Sequence, residues 1–100
     1  MMDSTLIQAS VVEEEIELSL TDLSHACRAD MQLLAALVDE GVLAPAGSAP
    51  PDWRFRGASL QRARAALRLI HDLQLEPHSV AIVMDLLDEI ATLRRQSRSG

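Results

Sequence analysis

The side chains able to do bond chemistry are few and poorly spaced. His25 and Cys27 offer two soft metal ligands, but a structural zinc site needs four, and the chain has no C-x-x-C. His71 and His78 lie far away in sequence and at no spacing that marks a site. Serine, histidine and aspartate all occur, yet no nucleophile turn frames a serine. The glycines at 41, 47, 57 and 100 are scattered, so no glycine-rich loop can cradle a phosphate. No catalytic residue, metal or cofactor is expected, and Cys27 reads as a small apolar residue of a helix. What remains is recognition, by charge and by apolar surface.

The charge is split along the chain. Residues 1–52 carry ten acids and one base, Arg28, for a net −9. Residues 53–100 carry eight arginines and five acids, for +3, and lysine is absent throughout. An acidic half beside a basic half points to protein partners selected by charge, and away from broad contact with nucleic acid. Asp39 and Glu40, with Glu15, Glu17 and Asp22 nearby, are the expected partner contacts. Arg54, Arg56, Arg62, Arg64 and Arg68 are expected to pair with the acidic half, within the monomer or across a dimer. Arg68 and Asp72, at i and i+4, suit a pair worth only about 0.3 kcal/mol. The lone cysteine fits a reducing compartment, and the N-terminus shows no basic region leading into an apolar core. A cytoplasmic location follows as an expectation. No stretch of about 20 apolar residues exists, so no membrane span is expected.

The elements that position these residues are mostly helices. The chain is rich in Ala, Leu and Val and almost free of aromatics, with Trp53 and Phe55 alone. Residues 1–12 show no period and are expected to be a flexible N-terminus. Ile16, Leu18 and Leu20 alternate with Glu15, Glu17 and Ser19, which predicts a short edge strand. Ser19-x-x-Asp22 is a capping box, and opens a helix to about Cys27 with Leu23, Ala26 and Cys27 inward. Asp30 can cap a second helix, Met31 to Glu40, with Gly41 at its left-handed end. Two short helices about three residues apart form a helix-turn-helix. Val42–Ala44 and Trp53-Arg54-Phe55 around a Pro/Gly loop predict a hairpin, or wing, with both aromatics on the core. Ser59 is expected to cap a third helix with Leu60, Ala63, Leu67 and Ile70 inward. Glu76-Pro77 restarts the chain into a last helix reaching about Arg95.

That last helix has two apolar rows: Val80, Val83, Leu87 and Ile90, and beside them Ile82, Leu86 and Leu93. One row suffices to rest on a core, so the second predicts a homodimer. Val83, Leu86, Leu87, Ile90 and Leu93 are the expected interface. The resulting division is a winged helix-turn-helix-like domain at 13–75, a dimerisation helix at 76–96 and a disordered tail at 97–100.

Helix-turn-helix, wing and two further helices resemble the MerR-type winged arrangement. Within it, Trp53-x-Phe55, Arg68-Leu69-x-x-Asp72-Leu73-x-Leu75 and Leu86-Leu87-Asp88-Glu89-Ile90-x-x-Leu93-Arg94 are similar to the chaperone-modulator CbpM family, over about residues 16–96. The resemblance implies a mainly α fold with a small β wing, a MerR-like winged helix-turn-helix followed by a long dimerisation helix. It implies a non-enzymatic adaptor that binds the J-domain of the DnaJ-like co-chaperone CbpA and blocks its work with DnaK. J-domains resemble one another in a basic second helix, which suits the acidic half. The alternative is a MerR-like DNA-binding transcription regulator, with Arg28, Arg54 and Arg56 on phosphates. The second helix speaks against it: residues 30–40 hold three acids and no cation, where phosphate contact needs cations. Direct specific DNA binding is therefore not expected.

Overall fold

The computed structural model describes residues 16–99. Glu13–Glu15, which open the expected strand, lie outside them. Four α-helices follow in order: α1 Leu20–Cys27, α2 Met31–Asp39, α3 Gly57–Leu73 and α4 Pro77–Ser99. A 3-10 turn, Pro50–Asp52, interrupts the α2–α3 connection.

Local signals set the first two helices. The Ser19 hydroxyl accepts from the Asp22 amide at 3.1 Å, and the Asp22 carboxylate accepts from the Ser19 amide at 3.2 Å. Both orphan donors at the start of α1 are thereby satisfied. Arg28 turns left-handed at φ 53° to end α1. Asp30 then caps α2 by accepting from the Gln32 amide at 2.7 Å. Gly41, at φ 79°, follows α2 in the expected left-handed conformation and sends Val42 and Leu43 into the core.

The expected β wing does not form as a sheet. Among the described residues the chain makes only isolated antiparallel bridges, Leu18 with Phe55 and Ala46 with Arg54. Leu18 and Phe55 exchange both backbone hydrogen bonds at 2.7 Å. The ladder stops there because Ser19 turns directly into α1, and Ile16 and Glu17 remain exposed. Between 46 and 54, Pro50 and Pro51 lack the donors a strand needs. Gly47 sits at φ 105°, and a Cβ there would lie 2.6 Å from the Asp52 carbonyl oxygen, so the turn needs glycine. Trp53 and Phe55 do reach the core, edge-to-face with centroids 6.1 Å apart.

The core is one cluster. Leu23 comes from α1, Leu34 and Leu37 from α2, and Leu60, Ala63 and Ala66 from α3; Phe55 is fully enclosed among them. α1 packs on α2 and α3, and α4 packs on α2 and α3. Ala26, expected inward, is exposed; Leu23 and the half-buried Cys27 fill that side of α1. α3 starts two residues before the expected Ser59 cap. The chain enters it straight from the Phe55 bridge, with Arg56 as N-cap and no side-chain cap. Gln74, left-handed at φ 56°, ends α3, and Pro77 opens α4 as expected.

α4 departs from expectation in length and in phase. It continues through residues 97–99, where a tail was expected. Its core contact is made by Val80 and Met84, one turn apart, with Ala81 packed beside them. Neither expected row lies on the domain beyond Met84. Among the described residues no helix is long and apolar enough to cross a membrane.

Candidate partner-binding site

The candidate acids do not form one face. Asp22 lies in the first turn of α1, close to the start of α2: the Thr21 hydroxyl approaches the Met31 sulfur at 3.6 Å. Asp39 and Glu40 lie at the other end of α2, about 12 Å away at 1.5 Å per residue. Asp39 is exposed there. Glu40 is already engaged, since its Oε1 lies 2.8 Å from Nδ1 of His78 at the start of α4. Glu17 is exposed just ahead of Leu18, and Glu15 lies outside the described residues. The acidic half therefore presents two separate sites, one at each end of α2.

Within one chain, Arg62 and Arg54 find other partners than the acidic side chains expected. Arg62 pairs with Asp88 of α4, which belongs to the basic half, and donates from Nε to the Val42 carbonyl at 2.7 Å. Arg54 donates to the carbonyl of its neighbour Trp53 at 2.8 Å. Asp72 meets His71 at 3.0 Å rather than Arg68. Arg64, Arg68 and His71 line an open concavity of about 380 Å³ with Cys27 and Leu67. Burial pushes the Cys27 thiol up, with the nearby Arg64 charge pulling it partly back.

Residues 19–21, Met31, Pro50 and Pro51 enclose a second concavity of about 250 Å³. No motif or spacing in the sequence marks it. Met31 opens α2 at the place where a recognition helix usually carries polar base-reading groups, and that was the one available signal.

Four of the five expected dimer residues, Leu86, Leu87, Ile90 and Leu93, are exposed on α4, together with Ile82. The fifth, Val83, is half-buried. Beyond Met84 the apolar residues of both rows are exposed and form one apolar stripe along α4. Among the described residues, no group of three or more His, Cys, Asp or Glu converges on a metal position.

The family described as "MerR HTH family regulatory protein" matches residues 18–99. The chaperone modulatory protein CbpM of Coxiella burnetii (strain Dugway 5J108-111) is 30% identical over 98 residues, covering 98% of this chain and 92% of that protein. CbpM of Pseudomonas putida (strain F1) is 28% identical over 96 residues, covering 96% and 87%. That of P. putida strain GB-1 is 29% identical over the same length. With the helix-turn-helix formed as capped, and relatives of one name aligned over nearly the whole of this chain, the chain belongs to the CbpM family of chaperone modulatory proteins, within the MerR-type helix-turn-helix group.

Proposed function

We propose that this chain is a non-enzymatic chaperone modulator that binds the J-domain of a CbpA-like co-chaperone and blocks its cooperation with DnaK. The observation that carries the reading is the chemistry of the helix-turn-helix: α2, the helix that would read DNA, has no arginine or lysine and is flanked by Asp30, Asp39 and Glu40. A cation-free helix with acids at both ends repels phosphate and attracts a basic protein surface. The name shared by the relatives supplies the class of function, and the CbpM resemblance supplies the J-domain. The mechanism is competition: the modulator covers the J-domain surface that DnaK needs, and no bond is made or broken. The protein acts in the cytoplasm as a homodimer joined through the stripe on α4.

The contacts are Asp39 and Glu40 at one end of α2 and Asp22 near the other, with Glu17, and with Glu15 from outside the described residues. Glu40 must exchange His78 for an incoming cation, so Asp39 is the cleaner position to test. Calorimetric titration of the J-domain into the parent protein is expected to give saturable binding, weakened in Asp39→Arg. Absence of binding by the parent overturns the reading.

The second reading, a MerR-like DNA-binding regulator, draws on the family description covering residues 18–99. The cation-free α2 weighs against it.

A further inference from the structure

We infer that the notch between Leu20, Met31, Pro50 and Pro51 receives one large apolar side chain from a basic helix of the partner. This deepens the J-domain reading and rests on it. The notch lies where the first turn of α1, the first residue of α2 and the 3-10 turn meet. In a helix-turn-helix the N-terminal residues of the second helix face the ligand. Here that position is Met31, 43% exposed although it is a large apolar residue. Pro50 and Pro51 present rigid, exposed rings opposite it, and Leu20 is half-buried beneath. At about 250 Å³ the notch falls below the roughly 300 Å³ at which small-molecule pockets begin. It is the size of a side-chain socket.

The rim identifies the occupant. Asp22, Asp30 and Asp52 are exposed, and each is the immediate chain neighbour of a lining residue. No arginine lies within two residues of any lining position. Asp22 and Asp30 each cap a helix, so their positions are fixed before the partner arrives. A largely apolar socket whose lining residues have three exposed aspartates as chain neighbours fits a helix that carries one Leu, Met or Phe among lysines and arginines. The apolar anchor supplies affinity, and the carboxylates speed the encounter.

The test compares J-domain binding by the parent, Met31→Ala and Asp52→Lys, all as full chains, with circular dichroism to verify folding. Neither substitution removes a cap or a core contact. Met31→Ala is expected to weaken binding about tenfold, as loss of an apolar wall around a central anchor does. Asp52→Lys is expected to slow association and to flatten its dependence on salt. If the parent binds and both variants match it, the notch is not the docking site, while the J-domain reading stands. If the parent does not bind the J-domain, that reading falls. The notch is then judged by nuclear magnetic resonance titration of the full chain with an amphipathic Lys/Leu helical peptide. Shifts confined to the amides of Thr21, Met31 and Asp52, and lost in Met31→Ala, support the socket. Shifts elsewhere, or none, overturn it.

Discussion

Arg62 and Asp88 are joined across α3 and α4 by two hydrogen bonds, at 3.0 and 3.3 Å, while the same guanidinium holds the Val42 carbonyl at 2.7 Å. One side chain thus ties α3, α4 and the turn after α2. The Asp88 side chain is 58% exposed, so the ion pair is screened and contributes under about 1 kcal/mol. The bond to Val42, a buried residue, matters more. Arg62→Ala is expected to lower stability by about 1–2 kcal/mol, and Asp88→Asn by less than about 1 kcal/mol, in urea denaturation. Equal effects would place the weight on the ion pair instead.

Leu87→Asp and Ile90→Asp test the stripe on α4. Both positions are exposed in the single chain, so the fold of the domain is expected to persist. Across a packed seam the same charge is expected to cost several kcal/mol and give a monomer in sedimentation at micromolar concentration. A parent that is already a concentration-independent monomer overturns the dimer.

The ends of that stripe differ in charge. Asp85, Asp88 and Glu89 precede Ile90 and Leu93, and Arg94, Arg95 and Arg98 follow. Antiparallel helices set acids against arginines, whereas parallel ones set like against like. A cysteine at Gln96 in a Cys27→Ser background is therefore expected to cross-link poorly to its own copy, since parallel pairing is what brings identical end positions together. Efficient cross-linking there indicates parallel helices.

DNA binding is expected to be weak and without sequence preference in electrophoretic shifts at about 50 mM salt, where phosphate contacts are strongest. Tight, salt-sensitive retention of one duplex over others promotes the regulator reading, with Arg28, Arg54 and Arg56 as the first positions to substitute.

Cys27 is expected to react slowly. Burial holds its thiol protonated further up the pH scale than an open thiol, and the thiolate is the reactive form. At pH 8, alkylation is expected to run several-fold slower than for a free cysteine and to recover in urea. A rate equal to that of free cysteine in the folded protein would contradict the burial.

Local devices carried most of what the sequence disclosed. The Ser19–Asp22 box, the Asp30 cap, Gly41 and Pro77 each act within four residues, and each lies where the pattern placed it. The wing failed because alternation at 16–20 and 53–55 cannot say how many residue pairs the turn into α1 leaves room for. The phase of α4 failed because a helix with two apolar rows fits a core by either, and Met84, between them, completes the contact. Glu40 with His78 and Arg62 with Asp88 join positions 38 and 26 residues apart, and no local spacing announces such pairs. The socket at Met31 depends in the same way on Pro50 and Pro51 arriving from a distant turn.

The anchoring of α4 by Val80 and Met84 leaves Asp85–Ser99 without core beneath it. Fifteen residues is about the length at which a helix in water is only marginally stable by itself. Amide hydrogens along that stretch therefore report what covers it. In dilute solution they are expected to exchange within minutes, from the C-terminal end inward, and those of Val80–Met84 only with unfolding of the whole domain. If the stripe is the dimer seam, protection is expected to spread outward along α4 as the protein is concentrated, and the distance it travels measures how much of the helix a second copy covers.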